Sequence, residues 1–102
     1  MRSLEAIKSS ISSQPIAVVQ LLAENCAFCQ KLKDALPGLE AKLPFHTLPV
    51  SEETGPWIAQ FAPESVPYTL VFDNGQFVGG ESFDFNQLQE LVKMLEAKHG
   101  LA

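Results

Sequence analysis

The sequence predicts an α/β fold: a four-stranded mixed sheet flanked by helices on both faces, in the order α-β-α-β-α-β-β-α, within a single domain spanning residues 1–102. Two observations lead there. In the N-terminal half a strand, a helix and a second strand follow one another, which demands parallel pairing through a right-handed crossover. In the C-terminal half two strand-like segments flank Asp73-Asn74-Gly75. Asn-Gly between strands is the strongest short hairpin signal, so antiparallel pairing is expected at one edge.

The elements follow in order. Leu4, Ile7 and Ile11 repeat at helical spacing behind Ser3, a good N-cap residue, and Pro15 stops that helix. "IAVVQLL", residues 16–22, is β-branched and almost continuously apolar, as a strand covered on both faces must be. From Ala27 onward Phe28, Leu32 and Leu36 share one helical stripe, which Pro37-Gly38 kinks or ends. "FHTLPV", residues 45–50, is a second strand, with Pro49 marking its end or an edge position. Thr54 as a cap and Pro56 in the first turn predict a short helix carrying Trp57, Ile58 and Phe61, closed by Pro63. "YTLVF" and "QFVG" form the hairpin arms. Asp84 and Gln87 have capping-box spacing ahead of Leu88, Leu91, Val92 and Leu95, the apolar stripe of a final helix running to Lys98 and Gly100.

Composition narrows the function. A chain of 102 residues, 46% apolar and 19% charged, can build a hydrophobic core without staples, so the fold does not need its two cysteines. The net charge is −5, and Lys31, Lys33, Lys42, Lys93 and Lys98 are diluted by twelve acids, which argues against a nucleic-acid partner. No apolar run approaches the roughly 18 residues of a membrane span. "MRSLEAIKSSISS" also lacks the apolar core of a secretion signal. A cytoplasmic protein with no membrane association is expected, and there a cysteine pair is seldom a permanent cross-link.

Cys26 and Cys29 lie in "ENCAFCQKLK". As zinc ligands they supply two of four, and only His46 and His99 remain, without a second pair, so no metal site is expected. A metal or cluster shared between two chains escapes that arithmetic. A static disulfide closes too small a loop to constrain the unfolded chain much. The redox reading explains more. Cys26 follows a buried strand and sits at the start of a helix, where unsatisfied N–H groups and the helix dipole favour an anion. Since thiolate is the attacking species, Cys26 is the nucleophile and Cys29, three residues deeper, the resolving thiol. Glu24 opposes ionisation, and Lys31 or Lys33 offsets it if turned toward the sulfurs.

C-x-x-C between a buried strand and a helix, then Val66-Pro67 before a strand, then "FDNG", resembles in this order the thioredoxin-like superfamily. "AVVQLLAENCAFCQKL" is similar to its strand, active-site pair and helix, and "SVPYTLVFDNGQFVGG" to its proline loop and terminal hairpin. The resemblance covers most of the chain. It implies a thiol-disulfide oxidoreductase that exchanges electrons with disulfide-containing protein substrates, holds no bound cofactor, and is recharged by a flavin-dependent reductase or a small thiol. A monomer is expected. It further implies that Pro67 is cis and lies against the cysteine pair, with Val66, Pro67 and Phe28 as substrate contacts; the bland alternative is an ordinary trans proline. Trp57 and Phe61 lie on one helical face and are expected to pack on the sheet, with an exposed Trp57 flanking the substrate groove as the alternative.

Four positions depart from the thioredoxin pattern. Asn25 stands where thioredoxins carry tryptophan, and Ala27-Phe28 where they carry Gly-Pro. Gln20, which cannot titrate, occupies the place of their buried aspartate, and a hydrogen-bonded neutral side chain is expected there. Glutaredoxins are the rival branch. Phe28 before the second cysteine and "VGGESFD" are similar to them, which makes Gly79, Gly80 and Asp84 candidate glutathione contacts and a glutathione-dependent reductase the alternative. Gly79-Gly80 reads more simply as a strand end or bulge, and Asp84 as the helix cap. A redox-inert binding module is the remaining class. His46 and His99 are expected at the surface or at strand ends, and Met94 in helix packing or at the surface.

Overall fold

The structure is a computed structural model that describes residues 4–101. Ser3, the expected cap of the first helix, lies outside the described residues. The elements are α1 (Leu4–Ser13), β1 (Ile16–Leu22), α2 (Ala27–Ala35) with a 3-10 turn at Leu36–Gly38, β2 (Phe45–Pro49), α3 (Gly55–Ala59), β3 (Tyr68–Asp73), β4 (Gln76–Glu81) and α4 (Phe85–Lys98). The four strands form one sheet in the order β2-β1-β3-β4. β1 and β2 run parallel, with Val18 opposite Phe45 and Leu22 opposite Pro49. β3 is antiparallel to β1, and β4 to β3.

Ile16 to Leu21 of β1 are all fully buried, because apolar layers cover both faces of the sheet. Alternation along the strand divides them. Ala17, Val19 and Leu21 join Ile7, Ile11, Ile58 and Phe72 on the face covered by α1 and α3. Ile16 and Val18 join Val71, Val92 and Leu95 on the face covered by α4. Pro49 ends β2 at the sheet edge, where its missing N–H breaks no ladder bond; Val50 N–H still reaches Leu22 O at 2.9 Å.

The hairpin turn has Asn74 at φ 51° and Gly75 at φ 82°, the paired left-handed conformation that asparagine and glycine tolerate best. Beyond it the register shifts: Phe72 faces Phe77, whereas Val71 faces Gly79, which leaves Val78 unopposed in a bulge. α4 begins with a complete capping box, in which Gln87 N–H donates to Asp84 Oδ1 at 2.8 Å and Asp84 N–H to Gln87 Oε1 at 3.0 Å.

Three local expectations are corrected. Thr54 precedes α3 but does not cap it. Its hydroxyl turns back to donate to Pro49 O at 2.8 Å and to accept from Ser51 N–H at 2.9 Å, bracing the connection from β2. α3 also stops at Ala59, short of Pro63, with Ala62 in the left-handed region at φ 48°. His99 is not at the surface: its side chain is 14% exposed at the C-cap of α4, with Nε2 3.4 Å from Asp73 Oδ2. His46, on the edge strand, is half-buried with Nε2 2.9 Å from Ser10 Oγ.

Candidate active site

The chain leaves β1 at Leu22, turns through Glu24 and Asn25, and enters α2 at Ala27. Asn25 takes φ 55°, a left-handed conformation that asparagine reaches more readily than a bulky residue. Cys26 is the N-cap of α2: its backbone is extended, and its sulfur accepts the Cys29 N–H at 3.1 Å. A cysteine therefore does here what a serine or aspartate hydroxyl or carboxylate does elsewhere, satisfying one of the open amides of the first turn.

Cys26 and Cys29 are joined as a disulfide, with Cα atoms 5.1 Å apart. Cys26 is half-buried, whereas Cys29 is 2% exposed and its sulfur accepts from Ala23 N–H at 3.4 Å. The outer and inner placement of the two sulfurs matches the order in which the sequence enters the helix. Cys26 Sγ lies 3.9 Å from Val66 O, so the loop before β3 closes over the pair. The Val66-Pro67 peptide is cis. Pro67 is buried, and its carbonyl is held by Ser82 Oγ at 2.7 Å. Among the described residues no group is hydrogen-bonded to the Val66 N–H.

Gln20 is fully buried and fully occupied. Thr69 Oγ1 donates to its Oε1 at 2.5 Å, and its Nε2 donates to Leu21 O and Tyr68 O, each at 3.2 Å. Thr69 is its cross-strand partner in the register of β1 and β3. Gln20 thus sits in a neutral, hydrogen-bonded network, as a buried side chain that cannot titrate must.

A groove of about 410 Å³ runs beside the disulfide, bounded by Phe28, Leu32 and Lys31 of α2, by Val66 and Pro67, and by Phe83, Asp84 and Phe85 ahead of and at the start of α4. Phe28 is 76% exposed there. Cys29 lines a separate depression of about 270 Å³ with Glu24, Lys33 and Thr47. The two lysines of α2 are therefore split, Lys31 toward the groove and Lys33 toward Cys29 and Glu24.

Of the residues singled out from sequence, Cys26, Cys29, Phe28, Val66, Pro67 and Asp84 converge. Trp57 does not. It packs against Phe61 and Phe72, ring centroids 4.8 and 6.0 Å away, and Phe72 pairs with Ala17 near the start of β1, at the far end of the sheet from the cysteines. Gly79 and Gly80 are also elsewhere, lining a depression between β4 and α4 with Val78 and Met94, so the glutathione trio is not assembled in one place. Gly80 has a packing role: a Cβ there would meet Tyr68 Cε2 at 2.6 Å and Thr69 O at 2.8 Å, and Tyr68 Oη donates to its carbonyl at 2.9 Å. Met94 is 60% exposed. Sequence reasoning missed Ser82, Phe83 and Phe85, which reach the groove from the chain after β4; no spacing rule linked them to the cysteines.

Among the described residues no three or more His, Cys, Asp or Glu side chains gather as a metal site, and no helix is long and apolar enough to cross a membrane.

A sheet of this order, with a disulfide at the strand-to-helix junction and a cis proline loop against it, is the thioredoxin-like fold. Solved structures that share it include the oxidised thioredoxin of Plasmodium falciparum, 22% identical, covering 91% of this chain and 92% of that one with a TM-score of 0.75. A mutant thioredoxin from Halobacterium salinarum NRC-1 is 16% identical over 92% of this chain and 86% of that one, with a TM-score of 0.76. A Malassezia sympodialis thioredoxin is 21% identical over 92% and 88%, with a TM-score of 0.74. No family model and no curated protein matches the sequence. The chain is similar to thioredoxins in fold while far from them in sequence.

Proposed function

We propose that the chain is a thiol-disulfide oxidoreductase that exchanges electrons with protein disulfides through Cys26 and Cys29. The observation that carries this reading is the placement of Cys26: a half-buried sulfur at a helix N-cap, 3.1 Å from an amide donor, bonded to a more deeply buried cysteine. In the reduced protein that amide and the helix dipole favour the thiolate, the attacking species.

The Cys26 thiolate attacks one sulfur of a substrate disulfide, forming a mixed disulfide and releasing the first substrate thiolate. The Cys29 thiolate then attacks Cys26 Sγ; the Cys26–substrate bond breaks, the Cys26–Cys29 bond forms, and the second substrate thiolate leaves. Two electrons pass from the protein to the substrate, and each departing thiolate takes up a proton. Gln20 cannot receive the Cys29 proton, so it passes to water, to the leaving thiolate or to another residue. A reductase or a small thiol returns two electrons in a cytoplasmic setting. The unpartnered Val66 N–H and the adjoining Val66 carbonyl offer an extended substrate segment one backbone pairing site next to Cys26.

Cys29→Ser accumulates mixed disulfides with substrate, detectable by mass spectrometry or non-reducing gels, whereas Cys26→Ser does not. Equal trapping by both variants overturns the assignment of roles. No trapping by either, with no reduction of disulfides by the wild-type chain, overturns the function.

A further inference from the structure

We propose that the chain carries a second binding site, at the end of the sheet opposite the cysteines, for a small planar aromatic carboxylate. The site stands apart from the thiol-disulfide reading and does not depend on it.

A depression of about 360 Å³ lies there between α1, the end of α3 and the hairpin of β3 and β4. Phe72 in its wall is opposite Ala17 near the start of β1, whereas Cys26 follows the end of that strand, so roughly 20 Å of strand separates the two sites. The volume falls in the range of small-ligand sites and suits a two-ring molecule rather than a peptide.

The preference for a flat ring follows from how four aromatic side chains are arranged. Phe72 forms the floor, 3% exposed; Trp57 and Phe61 are half-buried, and Phe77 is 37% exposed at the rim. Phe61 stands edge-on to Trp57 and to Phe72, at interplanar angles of 72° and 84°, while Trp57 and Phe72 are stacked. Phe77 is tilted against Phe61 and Phe72, with centroids 4.8 and 5.7 Å away. Among the described residues, Trp57 and Phe77 are the only pair of these four rings without a contact, although both line the depression. A flat ring seated between them meets aromatic edges and faces in the offset and perpendicular geometries that rings prefer, and covers apolar surface that now faces water. A saturated group of the same size gains only the second.

Charge selects the polar end of the ligand. Among the described residues Lys8 is the only charged side chain lining the depression, on a chain whose net charge is −5. Its ammonium donates to Glu5 Oε1 at 3.4 Å, but that side chain is 82% exposed and lies outside the depression, and a surface pair of this kind adds little. Two of the three ammonium N–H groups are left for a ligand. A carboxylate on the aromatic ligand therefore finds a local cation and no lining acid to repel it.

The test uses the full oxidised chain, in which Trp57 is the sole tryptophan, so its indole N–H gives a single signal in a nitrogen-correlated NMR spectrum. That signal is followed against 2-naphthoate, the neutral 2-naphthalenemethanol, the cation 2-naphthylmethylammonium and the saturated decahydro-2-naphthoate. Binding of 2-naphthoate is expected with a dissociation constant of about 10 µM to 1 mM, as its size allows. It binds about 2- to 5-fold more tightly than the alcohol, from the partly exposed charge, and about 3- to 10-fold more tightly than the saturated acid, from the ring contacts. Lys8→Gln erases the first ratio, and Phe77→Ala weakens 2-naphthoate by about 5-fold or more. Neither variant changes the rate of bis(2-hydroxyethyl) disulfide reduction. The ligand series and Lys8→Gln decide the matter on their own if Phe77→Ala does not fold. Four results overturn the site: no shift of the Trp57 signal at about 5 mM 2-naphthoate; binding of the alcohol, the cation or the saturated acid as tight as that of 2-naphthoate; an affinity unchanged in folded Phe77→Ala; and a Trp57 signal that moves with protein concentration alone, which places a second copy of the chain on this face. Because binding is read on the oxidised chain, its failure leaves the redox reading intact, and failure of disulfide exchange leaves the site intact.

Discussion

The buried pair Gln20 and Thr69 gives the sharpest test of how this sheet tolerates a polar group at its centre. Both side chains are 0% exposed, and the hydroxyl of Thr69 is the donor to Gln20 Oε1. Thr69→Val keeps the volume and removes that donor, which strands an amide oxygen out of water; the penalty for such an orphan is about 1–3 kcal/mol beyond the lost bond. A loss of about 2 kcal/mol follows, or about 10 °C in Tm for a domain of this size. Gln20→Leu strands the Thr69 hydroxyl instead and loses the two amide bonds to Leu21 O and Tyr68 O, again about 2 kcal/mol. The double variant leaves neither orphan, because an apolar pair then faces an apolar layer. It is expected within about 1 kcal/mol of the wild type, well short of the two single losses combined. Guanidinium unfolding of the oxidised chain measures all four proteins, with midpoints compared at a constant slope. If Thr69→Val changes stability by less than about 0.5 kcal/mol, or if the double variant loses as much as the singles together, the network does not act as one unit and the reasoning fails.

Gly80→Ala forces a Cβ against the Tyr68 ring and the Thr69 carbonyl, and a loss of about 1–3 kcal/mol is expected by thermal unfolding, with Tyr68 displaced from its bond to Gly80 O; an unchanged Tm would mean that the backbone yields there. Glu96 is 7% exposed and its carboxylate accepts the amides of Lys42 and Leu43, so Glu96→Ala orphans two backbone donors and lowers stability by about 3 kcal/mol in a urea titration, whereas a change under about 1 kcal/mol contradicts the bonding. In reduced Cys29→Ser the backbone donor to Cys26 persists, and thiolate absorbance against pH should show Cys26 ionising below the usual thiol value of about 8.5; titration at or above that value removes the basis for its role as nucleophile.

Much of the architecture was legible because its signals are local. Alternation and β-branching mark β1, the Asn74-Gly75 pair demands left-handed backbone, and Asp84 with Gln87 closes a capping box within one helical turn. Thr54 misled for the same reason in reverse. Its sequence position is that of a cap, but the carbonyl of Pro49 competes for the same hydroxyl, and tertiary geometry decided the contest.

By itself the chain specified the order of elements, the burial of β1 and the presence of two thiols where a strand hands over to a helix, since each depends on residues within a few positions of one another. Folding alone decided that Thr69 would be the partner of Gln20, that Phe83 and Phe85 would wall the space beside Phe28, and that Trp57 would sit at the opposite end of the sheet. Those outcomes depend on strand register and on which helix covers which face. Such choices are settled by packing between segments some 50 residues apart, and no local periodicity encodes them.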